Sequence, residues 1–107
     1  SAKISSSNAG YGETSGKYIY DQIVSKYSNI KIVTSGHVGK YARRTDTIKG
    51  NKVISYLGDR LGPSDNPVRI LTINTKSGVI SNTVYSKFVN GKATKHSSGK
   101  DTIKIIG

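Results

Sequence analysis

His37 is the residue whose type and position could do chemistry. It follows Ser35-Gly36 at the end of a β-branched run, and a glycine there allows close backbone approach. A neutral imidazole at such a point can ligate a metal; the competing reading is an ordinary loop histidine. Lys40, Arg43 and Arg44 cluster just beyond. Arginine can bind phosphate oxygens through two parallel hydrogen bonds, which makes these three candidate phosphate contacts. A solvated basic loop accounts for them as well and is the preferred of the two readings. Tyr41 and Tyr56 could stack on a base or a sugar, but packing with the hydroxyl at the surface is the commoner use of tyrosine. His96 has no His, Asp or Glu at metal spacing and reads as a tail residue.

Other chemistries are excluded by residue type. There is no cysteine, so disulfides, thiolate zinc sites and cysteine nucleophiles are ruled out. Ser98-Gly99-Lys100 has no glycine five residues before Gly99, and Asp101 stands where a phosphate loop needs Ser or Thr. No Gly-x-Ser-x-Gly elbow occurs. No apolar run approaches the ~20 residues that span a bilayer.

The 107 residues carry 17 Lys and Arg against 6 Asp and Glu, a formal charge of +11. Charge of this size speaks to partners, here phosphorylated substrates, nucleic acid or anionic polymers, and not to fold. Most of the lysines are scattered singly, as on a solvated surface. The hydrophobic fraction of 34% predicts a thin core, as in a segment that packs against further chain. The first residues, Ser1-Ala2-Lys3, suggest a processed or excised segment. Richness in Ser, Thr, Asn, Lys and Gly suggests an exported or cell-surface bacterial protein.

Residues 1–14 are small and polar and read as a loop or arm. From Gly16 to Tyr27 the pattern becomes helical: Ile19, Ile23 and Tyr27 lie four apart, flanked by Tyr20 and Val24. Thr14 or Ser15 could cap the helix start, and Asn29 could end it in the left-handed conformation. A strand, Ile30–Thr34, should follow and be buried by the Ile19, Ile23 and Tyr27 face. A charged loop is expected from Val38 to Asn51, then a strand over Lys52–Leu57. Gly58 to Pro67, with two prolines and two glycines, reads as a turn region. Val68–Asn74 and Val79–Phe88 should form a hairpin across Thr75–Gly78, with Gly78 at positive φ. Asn90-Gly91 marks a second hairpin, and Thr102–Ile106 could be a last strand. The expected fold is α/β in the mixed, α+β sense: one amphipathic helix leading into a strand, then an antiparallel meander.

The run from Gly16 to Arg44, GKYIYDQIVSKYSNIKIVTSGHVGKYARR, resembles the last catalytic block of calcineurin-like metallophosphoesterases. There a helix leads into a strand ending in Gly-His. The segments GNKVISYLGD (Gly50 to Asp59), VRILTI (Val68 to Ile73) and TVYSKF (Thr83 to Phe88) follow in the order seen in secreted members. The resemblance implies that residues 15–88 are the C-terminal part of an α/β/β/α phosphoesterase sandwich and residues 89–107 an extension with one or two further strands. It implies hydrolysis of a phosphate ester by a metal-activated water, with divalent ions in the parent domain and His37 among their ligands. The early Asp-x-His, Gly-Asp-x-x-Asp and Gly-Asn-His-Glu motifs are absent, and Gly39 replaces a second histidine. The chain alone should therefore be inactive and hold no metal tightly, its partners being the N-terminal half of the domain and a phosphoester substrate. Two alternatives stand beside it: a basic module binding nucleic acid or an anionic wall polymer, with weak, non-specific polyanion binding, or a catalytically dead structural relative.

Overall fold

The computed structural model describes residues 16–36, 41–58 and 67–105. The expectations for residues 1–14, the Thr14 or Ser15 cap, and most of the Gly58–Pro67 turn fall outside them, as do His37 and Lys40.

The helical segment comprises α1 (Gly16–Ile19), continued by a π-helical turn, Tyr20–Val24. The wide turn closes through Ser25 N–H donating to Tyr20 O at 2.8 Å, and the Ser25 hydroxyl donates to Asp21 O at 2.7 Å. Such back-bonding competes with regular helix geometry. The buried face also differs from the expected one. Val24 is buried, whereas Ile23 and Tyr27 are 47% and 57% exposed. The flanking Tyr20/Val24 pair turns inward, and the Ile19, Ile23 and Tyr27 stripe faces outward. Asn29 does not take positive φ; Ile30 N–H donates to Tyr27 O at 3.2 Å instead.

Six strands follow: β1 (Ile32–Ser35), β2 (Ala42–Ile48), β3 (Asn51–Leu57), β4 (Val68–Ile73), β5 (Val79–Val89) and β6 (Lys92–Thr102). They form two three-stranded sheets, ordered β1-β3-β2 and β4-β5-β6. β1 runs parallel to β3, with Ile32 opposite Ile54; every other pairing is antiparallel. The fold is thus mixed, with one short helix and two small, mostly antiparallel sheets.

The expected loop from Val38 to Asn51 is largely strand. In β2, Arg43, Thr45 and Thr47 are exposed while Ala42, Arg44, Asp46 and Ile48 are half-buried. That is the period of a half-covered strand, written in polar residues. Lys49 and Gly50, both at positive φ, close the β2–β3 hairpin in two residues. The polar stretch after Asn90-Gly91 is likewise a strand, β6, and ends at Thr102 rather than beginning there. β4 and β5 form the expected antiparallel hairpin, with Ile73 opposite Ile80. Gly78 sits at φ +76, Asn90 and Gly91 both take positive φ, and a Cβ on Gly78 would collide with the Ile103 carbonyl oxygen.

The sheets meet through Ile54 and Tyr56 of β3, Ile80 of β5 and Ile103, with Ile32 and Leu71 packed at the margin. Pairing register puts Ile32, Arg43, Ile54 and Tyr56 on one face of the first sheet. The opposite face carries Val53, Arg44 and Asp46, and there Tyr20 of the helical segment lies within electrostatic range of the last two.

Candidate functional site

Alternation along β2 separates the two arginines that the sequence placed side by side. Arg43 points toward the second sheet, where Nε donates to Asp101 Oδ2 at 2.8 Å and the second guanidinium nitrogen pairs with Oδ1. Arg44 points to the helix side and is ion-paired with Asp46 at 2.7 Å. Each has an internal carboxylate partner. Lys40 and His37 lie outside the described residues.

Asp101 is a buried carboxylate on β6. It also accepts a hydrogen bond from the buried Tyr56 hydroxyl at 2.6 Å. The Arg43 fork, helped by Tyr56 and opposed by burial, holds its carboxyl below the usual range. Burial, with the neighbouring Asp101, pushes the Tyr56 phenol well above its ordinary value. The Tyr56 hydroxyl is therefore not at the surface, as the sequence suggested, but spans the two sheets.

Arg69 on β4 stands beside this group. Its guanidinium donates to Asn82 Oδ1 at 2.8 Å and to the carbonyl oxygens of Ala42 and Leu57 at 3.4 and 3.3 Å. It lies over the Tyr56 and Tyr41 rings, 5.1 and 5.7 Å from their centroids. Burial lowers its pKa. Arg69 thereby ties the second sheet to the backbone where β2 begins and β3 ends. Tyr41 also meets His96, edge to face at 5.3 Å, with a 3.0 Å hydrogen bond between its hydroxyl and Nε2. His96 is thus a strand residue with a partner, not a tail residue.

At the carboxyl end of β1, Gly58 N–H donates to Ser35 O at 2.8 Å. A Cβ on Gly36 would lie 3.0 Å from the Gly58 carbonyl oxygen. The glycine of the Gly-His pair is therefore packed against the end of β3. Among the described residues no group of three or more His, Cys, Asp or Glu could hold a metal ion, and no helix is long and apolar enough to cross a membrane.

Sequence reasoning missed Asp101 and Arg69. Arg69 carried a signal, a lone charge inside the apolar run VRILTI. Asp101 carried none, because its surroundings read as a polar tail. No protein-family profile, curated protein or solved structure matches the chain.

Proposed function

We propose that the chain is the C-terminal part of a calcineurin-like metallophosphoesterase domain that hydrolyses a phosphate ester. The observation that carries this reading is the parallel β1–β3 pair, whose first strand runs directly into Gly36-His37. Ligand sites commonly lie at the carboxyl ends of parallel strands. Further support comes from the helical segment against one face of the first sheet, the second sheet against the other, and the exposed apolar stripe where more chain could pack.

In this reading His37 is one metal ligand and Lys40 lies near the substrate phosphate; Arg43 and Arg44, on opposite faces of the sheet and each paired with a carboxylate of this chain, do not both reach it. The described residues supply no metal-binding set, and one histidine cannot hold a two-metal site. The chemistry belongs to the whole domain, and the isolated chain is inactive.

The coding sequence upstream of Ser1 tests the reading. Asp-x-His and Gly-Asn-His-Glu motifs are expected there, and their absence overturns it. The protein carrying both parts should turn over a nitrophenyl phosphate ester in a metal-dependent way, with kcat lost in His37→Ala. Turnover by the 107-residue chain alone would overturn its assignment as an incomplete unit.

A further inference from the structure

An open groove of about 560 Å³ lies at the amino end of β1, the end opposite Gly36, between the β2–β3 hairpin and the residues that leave β6. Four lysines line it: Lys31 before β1, Lys49 and Lys52 at the hairpin, and Lys104 after β6. They come from three separate parts of the chain, so the fold and not a run of sequence gathers them. No acidic side chain lines the groove. The nearby Asp101 carboxylate is committed to Arg43 and Tyr56.

One of these ammonium groups is held in place. Lys31 Nζ donates to Asn51 Oδ1, and the Asn51 amide in turn donates to Ile30 O at 3.0 Å. An ammonium has three donors, so Lys31 retains hydrogen-bonding capacity toward a ligand. Lys49, Lys52 and Lys104 are exposed. Lys49 stands at positive φ in the two-residue turn that closes the β2–β3 hairpin.

We propose that this groove binds a linear phosphate polyanion, recognised through its charge. The lining has no aromatic ring on which a base could stack and no arginine fork, the features that select nucleic-acid bases. Lysines act on phosphate as point charges. Four of them in one groove offer separate charges to the phosphates of one chain, and binding is driven by release of counterions.

Fluorescently labelled inorganic polyphosphate, titrated into the 107-residue chain at physiological salt, tests the proposal. Two double variants with equal loss of charge are compared: Lys49→Glu/Lys104→Glu in the groove, and Lys92→Glu/Lys95→Glu on the exposed β5–β6 end. Saturable binding is expected, weakened tenfold or more by the groove pair and less than about threefold by the other, with a shallower salt dependence for the groove pair. Circular dichroism of both variants establishes that they fold; should the reversals unfold the chain, Lys49→Ala/Lys104→Ala replaces them with the same expected order. Equal weakening by both pairs, or no saturable binding, overturns the proposal. So does single-stranded DNA binding tenfold tighter than polyphosphate at equal phosphate number, because recognition would then extend beyond charge.

Discussion

The Tyr56 hydroxyl on β3 donates to the Asp101 carboxylate on β6 across 2.6 Å, joining one sheet to the other inside the protein. Because Arg43 grips the same carboxylate, Asp101 accepts hydrogen bonds from two residues of the first sheet. Asp101→Asn removes the charge and leaves the Arg43 fork without its counterion. The expected loss is about 1.5–3 kcal/mol, the range for hydrogen bonds to charged groups. It should fall at the low end, since the Arg43 side chain is 40% exposed and screened by water. Tyr56→Phe removes a buried hydrogen bond to the same charged carboxylate and should also cost about 1.5–3 kcal/mol. Urea unfolding of the three proteins at neutral pH measures both.

The same group sets a pH dependence. Asp101 titrates lower in the folded protein than in the unfolded chain, where an aspartate has a pKa of about 3.9. Its contribution is therefore fully present above that value and lost as pH falls through the folded pKa. The stability gap between wild type and Asp101→Asn should be constant near neutrality and narrow below about pH 4. Tyr56 behaves in the opposite sense, because its folded pKa is raised. Its contribution is present below about pH 10, the ordinary tyrosine value, and declines as pH rises further. Tyr56→Phe should show a shallower alkaline decline than wild type in the same unfolding measurement.

Glycine substitutions separate backbone strain from steric collision. Gly78 and Gly91 both sit at positive φ, at +76 and +74. Gly91→Ala meets nothing within 4 Å and should cost only the left-handed penalty, about 1–2 kcal/mol. Gly78→Ala adds a collision with the Ile103 carbonyl and disturbs the Ile103 N–H bond to Gly78 O, 2.9 Å long. It should cost clearly more, or abolish folding. Thermal melts of the two variants give the order, and equal losses would mean that residues 103–105 do not pack against the β4–β5 turn.

The helical face is tested by its own pair. Val24→Ala removes buried methyl groups and should destabilise by about 1–2 kcal/mol at roughly 0.8 kcal/mol per buried carbon. Ile23→Ala, at a position 47% exposed, should stay within about 0.5 kcal/mol. Chemical denaturation decides it, and a reversed order would restore the Ile19, Ile23 and Tyr27 stripe as the inner face.

The legible parts of this fold were those written in apolar residues and turn chemistry. Val68–Ile73 and Val79–Phe88 are β-branched runs around a glycine that needs positive φ, so the hairpin and its loop could be read directly. β2 and β6 could not, because their strand period is carried by Arg, Thr, Lys and Ser, which also compose loops. The helix face was misread because tyrosine and β-branched residues occur on both sides of it, and the wide turn at Tyr20–Val24 removes the regular spacing that would choose between them. At the candidate site, the register of β2 separates Arg43 from Arg44, a distinction invisible while the segment reads as a loop. Asp101 acquires its role only from strands far away in sequence. The four groove lysines were counted but not grouped, since only the fold brings residues 31, 49, 52 and 104 together.

The Arg43–Asp101 pair joins positions 58 residues apart, whereas β4 pairs with β5 and β5 with β6, each the next strand in the chain. Closing a long loop costs more entropy than closing a short one, so nearest-neighbour hairpins can zip before distant parts meet. The β4-β5-β6 meander can therefore exist on its own during folding, while the clasp forms only when the first sheet arrives already built. An interaction absent from the transition state governs how slowly a protein comes apart rather than how fast it assembles. Asp101 is then a kinetic latch: its removal should leave the refolding rate nearly unchanged and appear almost entirely as faster unfolding.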